Sequence, residues 1–230
     1  MHLLIPAAGS GKRMGATVNK LLLPLLGQPI LAWTLRAADR ASSIEWIGIL
    51  AQPTDWPAIE AMLAADPLAT PVELVQGGST RQESVFNGIH YLWQQGHVER
   101  VLIHDGARCL ATPELFDRCS AALQQVDGLI AAIPVKDTIK VTETSPNGIQ
   151  VQSTPDRSRL WAAQTPQGFR LPLLWQAHQE AQAQGWQVTD DAALFEKLGW
   201  PVYLVEGEES NLKLTTPLDL LLAAQILEQR

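Results

Sequence analysis

Short apolar runs alternate with stretches of helical period along most of this chain, and that alternation limits its fold more than any other feature. Residues 3–7, 46–51, 72–75, 101–104, 129–135 and 201–205 are short and mostly apolar, so each reads as a buried strand. Between them, Ile30, Trp33, Thr34 and Ala37 share one helical face, as do Val85, Ile89, Leu92 and Trp93. Residues 55–65 carry Pro57 near a first helical turn, and Thr112-Pro113 and Thr216-Pro217 read as helix caps followed by proline. Thr189-Asp190-Asp191 opens a further helix that ends at Gly199, and the last helix carries Leu220, Leu221, Ala224 and Leu227. Strands separated by helices are the signature of βαβ units around a mostly parallel sheet. An α/β fold is therefore expected, as one domain over residues 1–230.

One stretch breaks the pattern. Thr138, Ile139, Lys140, Val141 and Thr142 precede Ser145-Pro146-Asn147-Gly148, and Ile149, Gln150, Val151 and Gln152 follow it. Alternation about an Asn-Gly pair is a strong hairpin signal. Its faces are polar, so residues 137–157 are expected to project as a β-arm.

Composition removes several classes of function. The net charge of −7 argues against a broad nucleic-acid-binding face, though it leaves room for a local basic pocket. No apolar run approaches the length of a membrane span. The N-terminus lacks the charged and apolar regions of a secretory signal, so the expected compartment is the cytoplasm, or a plastid stroma as its equivalent. Cys109 and Cys119 form no CxxC and read as reduced thiols. The five His residues show no zinc spacing, and no Ser/His/Asp or Cys/His triad is readable.

Three segments carry chemical signals. Pro6-Ala7-Ala8-Gly9-Ser10-Gly11-Lys12-Arg13-Met14-Gly15, with Lys20 beyond it, is a glycine-rich turn after a strand, where backbone N–H groups can approach phosphates. It is not a P-loop, because Pro6 and Arg13 stand where Gly and Ser/Thr are required, and Met14 breaks the dinucleotide fingerprint. It is either a phosphate cradle of another kind or a structural turn. Asp105, at the carboxyl end of a strand, could hold a divalent cation or a ligand hydroxyl, or could cap a helix beside Arg108. Lys213, in a short apolar run, is either a snorkelling surface residue or a cation facing a ligand.

In this order, PAAGSGKRM with Lys20, GGSTRQES at 77–84, HDGAR at 104–108, PVKDTIK at 134–140, WAAQTPQ at 161–167, TDDA at 189–192 and NLKLT at 211–215 resemble the 2-C-methyl-D-erythritol 4-phosphate cytidylyltransferase family over nearly the whole chain. The resemblance implies a three-layer, Rossmann-like nucleotide-diphospho-sugar transferase fold, a homodimer formed through the arm, and Mg²⁺-dependent transfer of CMP from CTP to a polyol phosphate in isoprenoid biosynthesis. It implies that Arg13, Lys20, Arg157 and Lys213 are catalytic. Pro6, Ala7, Ala8, Gly9, Gly78, Ser79, Ser84 and Gly106 would bind nucleotide, with Gly77-Gly78 letting backbone approach the pyrimidine, so that a bulky residue at Gly78 is expected to block the base while sparing the fold. Asp105, Arg108, Thr138 and Thr189 would bind the acceptor, with Asp105 also at the metal. Three positions depart from the family pattern. Ser79 stands where Asp often follows Gly-Gly, Cys109 where Pro is expected, and Asn19 where Pro is frequent, the last leaving the loop less rigid. A ribitol 5-phosphate cytidylyltransferase and a non-catalytic CTP-binding regulator are the alternative readings. A phosphate monoester is mostly dianionic at neutral pH, so such a transfer needs no general base, in keeping with the missing triad.

Overall fold

The computed structural model describes residues 1–8 and 19–230. Its main sheet holds β1 (His2–Pro6), β4 (Trp46–Ala51), β5 (Val72–Gln76), β6 (Arg100–Ile103), β7 (Gly128–Pro134), β10 (Trp161–Arg170) and β11 (Tyr203–Glu206). They lie in the order β11-β7-β10-β6-β1-β4-β5. The pairs β1–β4, β1–β6, β4–β5 and β7–β11 are parallel, while β10 runs antiparallel to both β6 and β7. Short strands β2 (Pro24–Leu25) and β3 (Gln28–Pro29) make a small separate hairpin.

The two-residue period of the strands divides the core into two layers. Leu3 and Ile5 of β1, with Ile47, Ile49 and Leu102, face one cluster, which also takes in α1 (Ile30–Asp39), α2 (Trp56–Ala65), α4 (Pro113–Ala122) and α7 (Pro217–Glu228). Leu4, Leu50, Val101 and Ile103 face the other, with α3 (Arg81–Gln95), α5 (Leu171–Gln184) and α6 (Ala192–Lys197). Helices thus cover both faces of a mostly parallel sheet, as the alternation of strand and helix periods requires. Thr112 and Thr216 are N-caps with proline in the first turn, and Thr216 and Asp219 form a reciprocal capping box. Among the described residues no helix is long and apolar enough to cross a membrane. Both cysteines are free and buried.

Three features differ from the sequence expectations. Strand β10 is not marked by periodicity, because buried Gln164, Thr165 and Gln167 interrupt its apolar pattern. Leu221 points to solvent at 67% exposure, not inward with Leu220 and Ala224. The arm is a hairpin of β8 (Val141–Ser145) and β9 (Gly148–Ser153), but its turn is not centred on Asn-Gly. Pro146 and Asn147 occupy the centre and Gly148 takes the positive φ of 117°. A proline ring cannot adopt positive φ, so the left-handed conformation falls to the following glycine.

Helix α3 approaches the sheet closely through Gly88. A Cβ there would lie 2.8 Å from Leu50 Cδ2 and 3.0 Å from Leu4 Cδ1. Overpacking of this kind typically costs about 1–3 kcal/mol. Gly88→Val is expected to lower stability by about 2 kcal/mol or more, read as a reduced urea midpoint, and an unchanged midpoint would show that the helix can move away freely.

Candidate active site

Strands β1, β4, β5 and β6 end on one edge of the sheet, and the candidate residues gather there. Ala7 follows β1 and is fastened by its N–H to the Leu50 carbonyl at 2.8 Å. Gly77 follows β5, and a Cβ on it would lie 2.7 Å from that of Ala8. Two residues beyond β6 stands Asp105, 7% exposed. The segment after β11 returns to this edge, where the Leu214 N–H donates to the Ala107 carbonyl at 2.9 Å. That contact brings Lys213 beside Asp105.

Asp105 is the electrostatic centre. Arg81 Nε lies 3.1 Å from Oδ1, Lys213 Nζ 2.7 Å from Oδ2, and Arg108 Nε 3.8 Å from Oδ2. Burial alone would raise this carboxyl's pKa, but Arg81, Lys213 and Arg108 together hold it well below the usual carboxylate range. Arg81 also donates through Nη1 to Asp191 Oδ2 at 2.7 Å, and Asp191 Oδ1 lies 3.2 Å from His178 Nε2. Asp191 is fully buried, yet Arg81 and His178 outweigh that burial and lower its pKa too.

His104 fixes the turn that presents Asp105 and Arg108. The Asp105 N–H donates to Thr165 Oγ1 at 3.0 Å, so the hydroxyl proton is free to point at His104 Nδ1, also 3.0 Å away. His104 Nε2 then carries the proton toward the Arg108 carbonyl at 3.2 Å. Burial pushes the ring's pKa down to about 4, so the imidazole is neutral at physiological pH.

The remaining sequence candidates separate into groups. Lys20 lies at the same edge, its Nζ donating to the Leu214 carbonyl at 3.0 Å. Arg108 also donates to the Asn211 carbonyl at 2.7 Å. Pro6 ends β1, and Gly9 and Arg13 lie outside the described residues. Gly106 is packed by structure: its carbonyl accepts from Thr34 Oγ1 at 2.8 Å, and a Cβ would meet Leu21 Cδ1 at 2.8 Å. Ser84 is buried, accepting from the Gly78 N–H at 3.0 Å and donating to the Thr80 carbonyl at 2.8 Å, so its hydroxyl shapes the Gly77-Gly78 turn. Ser79 is exposed and donates to Glu83, within the capping box that Thr80 and Glu83 form at the start of α3. A Cβ on Gly78 would lie 2.3 Å from Glu83 Cβ and 2.9 Å from the Glu83 backbone. A side chain at Gly78 would therefore disturb the helix start, contrary to the expectation that it would spare the fold.

Thr138, Arg157 and Thr189 are exposed. Arg157 donates to the Lys136 carbonyl at 2.6 Å, and with Pro134, Val135, Asp156, Ser158 and Trp161 it lines a cleft of about 470 Å³ at the base of the arm. An ion pair between Lys136 and Glu209 ties that base to the segment bearing Lys213.

Arg81, Thr165 and Asp191 lie within motifs visible in the sequence, but the sequence assigns them no role. Arg81 does carry a signal: a cation in the first turn of a helix opposes the helix dipole and needs carboxylates nearby.

Among the described residues no group of three or more His, Cys, Asp or Glu could hold a metal. Magnesium bound with substrate phosphates needs only one or two carboxylates, and Asp105 would offer one once Lys213, which is 40% exposed, turns from Oδ2, so the donor set fits an ion carried largely by its substrate.

Cations gathered at the carboxyl edge of a mostly parallel sheet suit the nucleotidyltransferase class, which must bring anionic phosphates together. The sequence matches the family profile described as 2-C-methyl-D-erythritol 4-phosphate cytidylyltransferase over residues 1–229. A protein of that name from Synechococcus sp. (strain JA-3-3Ab) is 85% identical over 230 residues, covering 100% of this chain and 98% of the relative. Its namesake from Nostoc punctiforme is 63% identical, covering 100% and 99%. The solved 4-diphosphocytidyl-2C-methyl-D-erythritol synthase of Anaerococcus prevotii superposes with a TM-score of 0.86 at 33% identity, covering 100% of this chain and 96% of that one. The Thermus thermophilus 2-C-methyl-D-erythritol 4-phosphate cytidylyltransferase gives 0.76 at 32%, covering 99% and 98%. The chain belongs to the 2-C-methyl-D-erythritol 4-phosphate cytidylyltransferase family.

The buried His104 makes stability depend on pH. Its ordinary pKa of 6.5 applies to the unfolded chain and about 4 to the folded one. Between those values the unfolded chain binds a proton that the folded chain refuses, so stability falls as the pH is lowered, by about 3 kcal/mol in all. Asp105 and Asp191, both lowered, add a loss of the same sign below their ordinary value of 3.8. Urea unfolding at pH 7.0, 6.0 and 5.0 is expected to give a clearly flatter pH slope for His104→Asn than for the parent, and equal slopes would assign the acid sensitivity elsewhere.

Proposed function

We propose that this protein transfers CMP from CTP to 2-C-methyl-D-erythritol 4-phosphate and releases pyrophosphate, in the non-mevalonate route to isoprenoids. Family membership over residues 1–229 supports the reaction, and the convergence of Lys213, Arg108 and Arg81 on Asp105, with Lys20 at the same edge, is the observation that carries its chemistry. The acceptor phosphate is its own nucleophile. The protein's task is to hold two anions together and to stabilise charge developing around the α-phosphorus. Lys213 suits this task because its side chain is 40% exposed while Asp105's is 9% exposed. It can turn from the carboxylate to an entering phosphate without unburying Asp105. Lys20 lies at the same edge, and by family resemblance Arg13 would act on the same charge. Magnesium, held by the phosphates with Asp105, would neutralise the pyrophosphate leaving group. Arg108 keeps the Asp105 turn against the loop at Asn211, and Arg81 keeps Asp105 ionised.

Pyrophosphate release from CTP and Mg²⁺ is the direct test, with 2-C-methyl-D-erythritol 4-phosphate and ribitol 5-phosphate assayed in parallel. Turnover is expected with the first acceptor, and preference for the second would overturn the assignment. Lys20→Ala is expected to lower kcat about 10²-fold with a smaller change in CTP affinity. A loss below tenfold would make Lys20 a structural residue.

The arm favours a shared site in a homodimer. Its β-branched residues Ile149 and Val151 are 79% and 54% exposed, and a two-stranded hairpin alone is marginal in water. A second copy packed on the arm would cover them and carry Arg157 to its neighbour's crevice. Lys20→Ala and Arg157→Ala chains, mixed and allowed to exchange, would then form hybrids with one intact site. Random pairing should restore about a quarter of wild-type activity. A flat mixing curve, with exchange confirmed by mass spectrometry, excludes the shared site.

A further inference from the structure

Ala7 and Asn19 flank the segment at 9–18, and one side chain joins them. Asn19 is 7% exposed. Its Nδ2 donates to the Ala7 carbonyl at 2.6 Å and to Asp55 Oδ2 at 2.9 Å. Its Oδ1 accepts from the Leu21 N–H at 3.1 Å, capping the one-turn 3-10 helix Lys20–Leu22. Both partners of the amide nitrogen are themselves anchored. The Ala7 N–H is bound to Leu50 of β4, and the Asp55 N–H to the Gln52 carbonyl just beyond the same strand, at 2.9 Å. On the far side, Leu21 is buried against Gly106. The residue between the cap and that buried leucine is Lys20, which reaches the Leu214 carbonyl beside Lys213.

We propose that Asn19 is a positioning residue for Lys20, clasping the turn that bears it to the carboxyl ends of β1 and β4. The proposal rests on the reading of Lys20 given under Proposed function. The site calls for two donors and one acceptor from one short side chain, and an amide supplies both kinds. A carboxylate would face the Ala7 oxygen and the Asp55 carboxylate, and a methyl group would leave a buried carbonyl without its donor. The backbone φ of −57° at Asn19 is one a proline also adopts. The three hydrogen bonds therefore do here what a fixed ring would do, and the expected loss of rigidity at this position does not follow. Misplacing a charge-stabilising group by about 1 Å can cost on the order of 10² in rate, so a clasp next to such a group is felt in kcat.

The test is a double-mutant cycle on the full chain, with kcat and KM for CTP and acceptor measured for Asn19→Ala, Lys20→Ala and the pair. Asn19→Ala is expected to lower kcat about tenfold with KM for CTP changed less than about threefold. In the Lys20→Ala background the same change should cost less than about twofold, because the group it positions is gone. Equal losses in both backgrounds would make Asn19 a structural residue and overturn the proposal. A loss below tenfold for Lys20→Ala alone would instead bring down the reading of Lys20 itself, and the clasp's role with it. Where Asn19→Ala does not fold by circular dichroism, Asp55→Ala removes one of the three bonds and enters the same cycle. Asn19→Asp should also lose kcat, and adding Asp55→Asn should return part of it, since the amide at 55 then donates to the carboxylate at 19. No return would count against the clasp.

Discussion

A carboxylate buried at the carboxyl edge of a sheet is unfavourable unless cations meet it, and Asp105 is met by three, two of them from distant parts of the chain. Arg81 comes from the start of α3, Arg108 from the turn after β6, and Lys213 from the segment after β11. Arg81 and Lys213 cannot reach it until the sheet, α3 and the C-terminal segment have assembled. Breaking a buried pair by removing one partner typically costs about 3–5 kcal/mol, because the other charge stays buried. Asp105 therefore joins the assembly of the fold to the construction of the site. Arg81 extends the arrangement inward through Asp191 to His178, so the charge at the crevice is anchored to the core.

The same arrangement reconciles an acidic chain with a crevice for anions. The net charge of −7 belongs to the molecule as a whole, whereas the edge of the sheet concentrates cations around one carboxylate. In the proposed reaction Asp105 holds Lys213 in place before a phosphate arrives. Preorganised charge of this kind does not have to be reoriented as the transition state forms.

The parts legible in sequence are those where one local rule decides. The strand at 46–51 is bounded as its apolar run predicts, and Thr112 and Thr216 cap helices as their Thr-Pro pairs predict. The parts that are hidden depend on contacts distant in sequence. Strand β10 escapes periodicity because buried Gln164, Thr165 and Gln167 make long-range hydrogen bonds. Arg81 and Asp191 are 110 residues apart, and no spacing rule links them. Gly78 suggests a base-binding surface, but its missing side chain is required by the start of its own helix. Asp105 and Lys213 are legible as chemistry-bearing residues, while their direct contact needs the fold.

Neutral amides fasten the charged residues of this site to the sheet, for a physical reason. Gln164 donates to the Glu208 carbonyl at 2.8 Å and accepts from the Glu208 N–H at 3.2 Å, holding the segment that carries Lys213. Asn211 donates to the Thr165 carbonyl at 2.8 Å. Gln167 accepts from the Asp191 and Ala192 N–H groups, both at 3.1 Å, and Asn19 holds the turn before Lys20. All four amides are buried. A buried loop backbone must have its donors and acceptors met, and a side chain offering both can meet them in either direction. A carboxylate or an amine in these places would bring a full charge into the field that sets the ionisation of Asp105. An amide satisfies the backbone and leaves that balance to Arg81, Arg108 and Lys213.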